Sequence, residues 1–372
     1  MKNQNIFSQE EIRRYNRQII LSEFGQKNQK KLKNAKVLVI GAGGLGCPVL
    51  MYLSAAGVGT IGILDYDIVD ESNLHRQILF SSEDIDKPKV MAAKERLLKQ
   101  NPFINYNTHF TKLNKNNAIE IIQNYDIVVE GSDNFSTKYL VNDCCVILNK
   151  PFVLGAINKF EGQLSVFNYK NGPTYRCFCP EPPDPLEAPT CSETGVIGVL
   201  PGIIGCLQAN ETIKIITGLG DVLSGKLLLF DSLTLNYNLF NLSRNDKYSN
   251  LKELGDYPDY CINDDQSIKQ ISATELKQKI TNNDDIQIID IREPSDYVDF
   301  NINGESIPMS EIPEKHNKIS RTKQVVLICE YGIKCIRVIN YLENKYGFTN
   351  LYCLSNGIRG WKYYFGEKVK SE

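Results

Sequence analysis

A glycine-rich turn followed by an acidic residue is the first feature of the chain suited to binding a ligand. Gly41, Gly43 and Gly46 satisfy the pattern GxGxxG directly after the apolar stretch KVLVI, and Asp65 ends the next apolar stretch. Between a strand and a helix, such glycines let backbone N–H groups approach phosphate oxygens, and a carboxylate placed like Asp65 accepts hydrogen bonds from ribose hydroxyls. The pattern predicts a nucleotide site, and by itself it suits NAD as well as ATP. The alternative is a tight packing turn with a surface aspartate.

Charged and amide side chains follow at places where parallel strands should end, which is where open α/β sheets bind ligands. They are Asn73, Arg76 and Gln77 in NLHRQ, Lys89 in KPKV, and Asp133 in GSDN. Splitting a triphosphate needs cations and a metal-binding carboxylate that hydride transfer does not need, so the set favours ATP. Taken singly, Arg76 and Lys89 also fit solvated surface charges, and Asp133 fits a helix N-cap.

The composition is that of an ordinary globular protein. With 372 residues the chain exceeds what one core usually organises, so one large and one smaller domain are expected. The net charge of -2 supplies no field for nucleic acid or an anionic membrane. The polar start and the lack of a long apolar run predict a cytoplasmic protein. The eleven cysteines are then expected to be reduced thiols.

The elements that must position these residues alternate between strand and helix patterns, which predicts a doubly wound α/β sheet. Ser8 and Glu11 have capping-box spacing and open the first helix, and a lysine-rich connector follows it. Strands are predicted over residues 36–40, 60–67, 126–130, 151–157, 163–169 and 226–233, and helices over 47–57, 88–99, 116–122, 135–148 and 201–217.

A second, shorter α/β pattern follows a stretch without apolar periodicity. Residues 244–270 are predicted to be a linker, which divides the chain into domains 1–243 and 271–372. In the second domain, helices are predicted over residues 273–280 and 335–347, and strands over 286–291, 324–329 and 350–355.

Six motifs resemble, in order, those of the MoeB/ThiF (HesA) family, bacterial relatives of ubiquitin-activating enzymes. They are RYNRQIIL, GAGGLGCP, LDYDIVDESNLHRQILF, KPKV, EGSDN and YRCFCPEPP with TCSETGVIGVLPGIIG. The resemblance covers about residues 8–243 and implies a Rossmann-like sheet of the ubiquitin-activating-enzyme type. It also implies ATP-dependent adenylation of the C-terminal glycine of a small ubiquitin-like sulfur-carrier protein ending in Gly-Gly, with release of pyrophosphate.

The resemblance assigns roles to individual residues. Those implied to touch bound MgATP are Gly44 and its neighbouring glycines at the phosphates, Asp65 at the ribose, Asn73, Arg76 and Lys89 at the triphosphate, and Asp133 at Mg²⁺. No enzyme nucleophile is needed, so catalysis would be alignment and charge neutralisation. Family members form homodimers in which the arginine matching Arg17 reaches into the partner's site; the alternative is a surface charge.

The family's cysteines raise two further expectations. Cys191 matches a loop cysteine that joins thioester or acyl-disulfide chemistry in some members, and the alternative is an incidental loop thiol. Many members also hold zinc with two C-x-x-C pairs. Thr174 stands where the first pair needs a cysteine, and residues 247–250 contain none, so no structural zinc site is expected. The alternative is a rearranged site of Cys177, Cys179 and Cys261.

From about residue 271 the chain resembles a rhodanese domain, in IIDIREPSDY, VVLICEYGIKC and NGIRGW. In that fold a strand-end cysteine, here Cys329, begins a loop whose N–H groups stabilise a thiolate or persulfide; the alternative is an inactive rhodanese-like domain. Glu330 stands where a basic residue often binds an anionic donor and should disfavour thiosulfate. Cys335 replaces a common serine and could resolve a persulfide as a disulfide.

The two resemblances together imply a sequence of sulfur transfer. A cysteine desulfurase would supply sulfur to Cys329, whose persulfide would attack the acyl-adenylate and displace AMP. A second thiol, Cys191, would release a thiocarboxylate. The resemblance does not distinguish a molybdopterin pathway from a thiamine-type or tRNA-thiolation pathway.

Two other functions stay open at the level of sequence. An NAD-dependent oxidoreductase explains the glycine turn and Asp65, but it leaves Arg76, Lys89, Asp133 and the second domain without a task. A non-catalytic module that binds a ubiquitin-like protein is the other alternative.

Overall fold

The computed structural model describes residues 6–182, 195–257 and 268–366. The described residues form two compact units, residues 6–182 with 195–257 and residues 268–366. Cys191 and Cys261 lie outside the described residues. No helix in the described ranges is long and apolar enough to cross a membrane.

A mixed eight-stranded sheet organises the first unit. Its strands are β1 (Lys36–Ile40), β2 (Thr60–Asp65), β3 (Asn105–Phe110), β4 (Ile127–Glu130), β5 (Phe152–Asn158), β6 (Glu161–Phe167), β7 (Lys226–Asp231) and β8 (Asn236–Asn241). They lie in the order β3-β2-β1-β4-β5-β6-β7-β8. The pairs among β3, β2, β1, β4 and β5 are parallel, which confirms the Rossmann-like class, and the pairs from β5 to β8 are antiparallel.

Helices cover both faces of this sheet. They are α1 (Gln9–Ile19), α2 (Gly25–Asn34), α3 (Gly46–Ala56), α4 (Lys89–Gln100), α5 (Ala118–Ile122), α6 (Phe135–Ile147), α7 (Tyr175–Phe178) and α8 (Val199–Thr217). Side chains alternate along a strand, so Val37 and Val39 of β1 join a core with α3 and α4, whereas Leu38 and Ile40 join a core with α5 and α6. The strand is therefore buried on both faces.

Four elements of the first unit, α2, α7, β3 and β8, were not predicted. The lysine-rich connector contains α2, which buries Leu32 together with Asn28 and Gln29. The strands β3 (NYNTHF) and β8 (NYNLFN) lie at the two sheet edges, each paired with one neighbour. Edge strands need little alternation of apolar and polar residues, so these asparagine-rich segments lack the pattern by which strands are predicted. The predicted capping box of α1 is confirmed, with the N–H of Ser8 donating to Glu11 at 2.8 Å.

The second unit is built on a five-stranded parallel sheet. Its strands are β9 (Gln270–Ile271), β10 (Ile286–Asp290), β11 (Glu305–Ser306), β12 (Gln324–Ile328) and β13 (Leu351–Leu354), and its helices are α9 (Ala273–Thr281), α10 (Pro294–Asp299), α11 (Ile312–Lys315), α12 (Ile333–Tyr346) and α13 (Gly357–Phe365). The strand order is β11-β10-β12-β13-β9. Cys329 therefore follows the central strand of the sheet.

Residues 244–257 of the predicted linker belong to the first unit, and Gln270 begins β9 of the second unit. The hydroxyl of Tyr257 donates to Asp143 on α6 at 2.6 Å, and Arg176 on α7 pairs with the same carboxylate at 2.7 Å. The domain bounds 1–243, 244–270 and 271–372 stay a prediction.

Candidate functional site

Three neighbouring strands end together at the edge of the first sheet. Ile40 of β1 is aligned with Leu64 of β2 and with Glu130 of β4. The chain leaves this edge at Gly41, whose φ of +90° is in the left-handed region. A Cβ on Gly41 would lie 2.9 Å from the carbonyl oxygen of Gly131, so the glycine turn and the turn after β4 pack directly together.

Asp65 fastens the glycine turn to β2. Its Oδ2 accepts the N–H of Ala42 at 2.7 Å, and its Oδ1 accepts the N–H of Asp67 at 2.9 Å. Burial raises the pKa of Asp65, and the nearby positive charge of Lys89 opposes that shift. Each carboxylate oxygen has a second lone pair. Asp65 thus lies where the sequence places a ribose acceptor, and the ribose contact itself stays a prediction.

Lys89 is a buried cation rather than a solvated surface charge. It begins α4 and is 5 % exposed. Its Nζ pairs with Asp67 at 2.8 Å, and its backbone N–H donates to the Asp67 carbonyl at 2.9 Å. Both interactions hold the lysine beside the carboxyl end of β2, next to Asp65.

Arg76 and Gln77 flank the glycine turn. The Oδ1 of Asn73 accepts hydrogen bonds from Arg76 at 2.9 Å and from Gln77 at 3.1 Å, which orients both side chains. A Cβ on Gly44 would lie 3.6 Å from Cγ of Arg76, and one on Gly43 would lie 3.8 Å from Nε2 of Gln77. Within the described residues the buried Oε1 of Gln77 has no hydrogen-bond partner. Gln77 stands in the NLHRQ motif, yet sequence reasoning gave it no role.

Asp133 is exposed on the turn between β4 and α6. The N-cap interpretation is wrong, because Asn134 caps α6 and its Oδ1 accepts the N–H of Thr137 at 2.8 Å. The preceding turn residue Gly131 packs on Gly41. An exposed carboxylate beside a turn predicted to bind phosphate is the ligand chemistry that Mg²⁺ prefers.

These features fit a magnesium nucleotide. A Cβ on Gly43 would meet only Nε2 of Gln77 within 4 Å among the described residues, so space remains beside Gly43, whereas Gly44 packs closely on Pro201. In the same part of the chain, the buried Oε1 of Gln77 has no hydrogen-bond partner. Two cations, Arg76 and Lys89, and the carboxylate of Asp133 complete the donor set that an anionic phosphate chain and its metal would need.

Arg76, Gln77 and Lys89 flank the crevice beside the glycine turn, whereas Arg17 lies on α1. Arg17 is exposed in the last turn of α1, and its role in a partner subunit stays a prediction. Cys191 lies outside the described residues.

Hydrogen bonds surround Cys177, one of the cysteines of the alternative zinc site. The Sγ of Cys177 accepts the backbone N–H groups of Thr174 at 3.3 Å and of Asn245 at 3.2 Å. The hydroxyl of Thr174 also donates to the carbonyl of Tyr248 at 3.4 Å. Cys177 thus faces one hydroxyl and backbone groups, a donor set that does not fit a closed tetrahedral zinc site.

The loop after β12 surrounds one sulfur with donors. The N–H of Gly332 donates to the Sγ of Cys329 at 3.2 Å, and the N–H groups of Tyr331 and Cys335 also point to it. The thiol of Cys335 donates to Cys329 as well, and this bond is the largest cause that lowers the pKa of Cys329 to about 7. Burial keeps the pKa of Cys335 high, so Cys335 remains the donor. The thiol of Cys353, which sequence reasoning did not single out, donates to the Gly332 carbonyl at 3.1 Å.

Glu330 neutralises two arginines beside this loop. Its carboxylate accepts from Arg359 at 2.8 Å and from Arg292 at 3.4 Å. Arg292 is buried and also pairs with Asp290 at 2.7 Å. Both guanidinium groups therefore have acidic partners, which is a poor setting for a small dianionic donor.

Comparison with known proteins identifies the family of each unit. Residues 15–251 match the ThiF family, and residues 272–363 match the rhodanese-like domain. The chain is 39% identical over 368 residues, 95% of this chain and 93% of the relative, to "Probable adenylyltransferase/sulfurtransferase MoeZ" of Mycobacterium tuberculosis. It is 46% identical over 266 residues, 68% of this chain and 98% of the relative, to "Sulfur carrier protein adenylyltransferase" of Thermus thermophilus.

Solved structures extend the comparison to a nucleotide complex. The crystal structure of Escherichia coli MccB with ATP superposes with a TM-score of 0.56 at 26% identity, over 62% of this chain and 71% of that chain. The oxidoreductase and the non-catalytic module have no support among these relatives. The chain therefore belongs to the ThiF family and is an ATP-using adenylyltransferase with a C-terminal rhodanese-like sulfurtransferase domain.

Proposed function

We propose that this enzyme adenylates the C-terminal glycine of a ubiquitin-like sulfur-carrier protein and then replaces the adenylate with sulfur delivered on Cys329. The observation that carries the proposal is the pairing of two sites in one chain. One is a glycine-lined crevice flanked by Arg76 and Lys89, and the other is a loop that holds a single acidic thiol. A carrier ending in Gly-Gly could extend its flexible tail into such a crevice.

In the first half-reaction, a carboxylate oxygen of the carrier attacks the α-phosphorus of ATP. A new O–P bond forms, the bond to the bridging oxygen breaks, and pyrophosphate leaves with its electron pair. Magnesium, when bound, would neutralise phosphate charge, with Asp133 as its ligand. Asp65 would hold the ribose, Asn73 would orient Arg76, and Arg76 and Lys89 would face the developing negative charge.

In the second half-reaction, a persulfide on Cys329 attacks the acyl carbon, and AMP leaves. The product is an acyl disulfide between the carrier and Cys329. The thiolate of Cys191 then attacks the Cys329 sulfur, which releases the carrier thiocarboxylate and leaves a Cys329–Cys191 disulfide. A dithiol reductant restores both thiols. We place this chemistry in the cytoplasm, where thiols are kept reduced.

The sulfur donor we propose is a protein persulfide from a cysteine desulfurase. The arginines beside Cys329 are neutralised by Glu330, so thiosulfate would meet no uncompensated cation from that pair. We further propose a homodimer in which Arg17 completes the partner's nucleotide site. The thiocarboxylate would serve a molybdopterin or thiamine-type sulfur pathway.

The experiment combines two measurements on one reaction. The purified chain is incubated with MgATP, a desulfurase with cysteine, and small proteins ending in Gly-Gly from the same organism. Carrier-dependent exchange of labelled pyrophosphate into ATP reports adenylation, and intact mass spectrometry reports replacement of one carrier oxygen by sulfur. The proposal expects both signals with at least one carrier. If none of the carriers supports exchange, the first half-reaction is contradicted. If a carrier supports exchange but gains no sulfur, the second half-reaction is contradicted.

A further inference from the structure

A buried acid and a buried lysine lie beneath the turn that carries Asp133. Glu130 ends β4 and is 0% exposed, and Lys138, in the first turn of α6, is 6% exposed. The backbone of Glu130 is held by the β1 pairing and by Gln208, whose side-chain amide donates to its carbonyl at 2.7 Å. Neither charged side chain has a role in the reaction proposed above.

The side chains of Glu130 and Lys138 form hydrogen bonds with three polar groups of Ser132. The Oε1 of Glu130 accepts the backbone N–H of Ser132 at 2.7 Å and also its hydroxyl. The Nζ of Lys138 donates to the Ser132 carbonyl. Ser132 is therefore fixed at its N–H, its hydroxyl and its carbonyl, immediately before Asp133.

The geometry indicates that Glu130 and Lys138 hold the turn at Ser132 rather than form a close ion pair with each other. The Nζ of Lys138 lies 3.5 Å from Oε2 of Glu130, and that oxygen has no hydrogen-bond partner within the described residues. Moving two charges out of water is costly, and a buried pair with imperfect geometry is weak support for stability alone. The short contacts of both side chains go instead to Ser132.

The residues around Ser132 complete the support. Gly131 packs against Gly41 of the nucleotide turn, and the N–H of Gly131 donates to the Ile40 carbonyl at 3.0 Å. On the other side, Asn134 caps α6. Asp133 is thus the exposed residue between two immobilised neighbours.

We propose that Glu130 and Lys138 are positioning residues: they clamp Ser132 and so aim the Asp133 carboxylate at the magnesium ion of the bound nucleotide. The inference rests on the magnesium role given to Asp133 under the proposed function. The clamp acts through Asp133 and touches neither nucleotide nor carrier. Groups that orient a metal ligand typically change metal affinity by about 10- to 100-fold when they are removed.

The test measures how strongly magnesium tightens nucleotide binding. A fluorescent ATP analogue is titrated into the full chain with excess Mg²⁺ and, separately, with EDTA. Glu130→Gln and Lys138→Met should each lose about tenfold of the tightening by Mg²⁺, with affinity in EDTA unchanged. Lys138→Arg keeps the charge and a donor and should retain most of the tightening. Glu95→Gln, which removes the exposed partner of Lys99, is the matched control and should match the parent protein.

Two further variants separate positioning from folding. Ser132→Ala removes one clamped group without leaving a buried charge unpaired, so it should fold and lose about threefold of the tightening. Asp133→Asn should abolish the tightening, and adding Glu130→Gln to it should cause no further loss, because the clamp works through Asp133.

The outcomes distinguish this inference from the proposed function. Absence of magnesium-dependent tightening in the parent protein would overturn the magnesium role of Asp133. Tightening in the parent protein that persists in Ser132→Ala, Glu130→Gln and Lys138→Met would overturn the clamp alone. Equal weakening with and without magnesium would also overturn it, since that pattern reports a general structural role.

Discussion

The nucleotide crevice and the sulfur loop solve different problems with different parts of the chain. The crevice brings together side chains from the turns after β1, β2 and β4, with Lys89 at the start of α4. The loop lies within seven consecutive residues, 329–335, and the backbone N–H groups of Tyr331, Gly332 and Cys335 converge on one sulfur. Stabilising a polyphosphate takes several separated charges, whereas stabilising one thiolate takes only nearby dipoles, here three backbone N–H groups and the S–H of Cys335. Substitutions should therefore harm the crevice residue by residue, and the loop mainly at the sulfur itself.

The largest expected effect is a loss of sulfur transfer with adenylation unchanged, which would show that the two sites act independently. Cys329→Ser should lower thiocarboxylate formation by at least about 10³-fold, because it removes the sulfur that forms the covalent intermediate. Carrier-dependent pyrophosphate exchange should keep the parent rate. Quenched-flow mass spectrometry of the carrier, run beside the exchange assay, measures both. Loss of exchange in this variant would show that the two sites are not independent.

Removing a cation from the crevice should reduce activity less than removing the Cys329 sulfur does, but more than removing any single hydrogen bond in the loop does. Lys89→Ala removes a buried positive charge near Asp65, and we expect a loss on the order of 10² in carrier-dependent exchange. Lys99→Ala, on the exposed side of the same helix, is the control and should leave exchange unchanged. An unaltered exchange rate in Lys89→Ala would place the lysine outside the reaction.

Adding a methyl group to the glycine turn should weaken nucleotide binding without disturbing the loop around Cys329. A methyl group at Gly44 would lie 3.1 Å from Cβ of Pro201 on α8, so it would push the glycine turn and the backbone N–H groups predicted to face phosphate out of place. We expect Gly44→Ala to bind ATP about tenfold more weakly, a cost of about 1.4 kcal/mol, by isothermal titration calorimetry. Gly202→Ala on α8 has no atom within 4 Å of the added carbon and is the control. Equal affinities for the two variants would argue against phosphate at Gly44.

The smallest effect tests the one side-chain donor in the loop. Cys335→Ala should raise the pKa of Cys329 from about 7 by about one unit, since its S–H bond is the largest lowering cause while the backbone N–H groups remain. A raised pKa leaves less thiolate, so alkylation of Cys329 by iodoacetamide at pH 7 should slow about fivefold and recover as pH rises. Cys335→Ser keeps a donor and should stay close to the parent pH profile. If the pH profile of Cys329 alkylation is the same in Cys335→Ala as in the parent protein, the backbone N–H groups alone set the pKa of Cys329.

The predictable part of the fold is the part with local signals. The glycine turn, the two buried strands around it and the strand-end Cys329 were found because apolar periodicity and motif spacing are properties of short segments. The strands β3 and β8 were missed because asparagine-rich edge strands lack that periodicity. The antiparallel half of the sheet was not anticipated, since strand direction depends on how distant segments pair.

The candidate site was predictable in its residue types but not in their surroundings. NLHRQ and KPKV revealed Arg76 and Lys89 as candidates, yet a lysine at a helix start looks the same in sequence whether it is exposed or, as here, 5 % exposed beside Asp65. Glu130 at the end of β4 and Lys138 in the first turn of α6 were missed because charged side chains usually face solvent.

By itself the sequence determined the family and the order of the two units, and it predicted Cys329 as the reacting thiol, because glycine spacing and strand-end residues are properties of a few consecutive positions. Only the tertiary structure decided that Asn134 rather than Asp133 caps α6, that Cys353 donates to the sulfur loop, and that a buried Glu130 and Lys138 enclose Ser132. The physical reason is that burial and hydrogen-bond partners depend on which strands become neighbours, and this is settled by packing across the whole sheet.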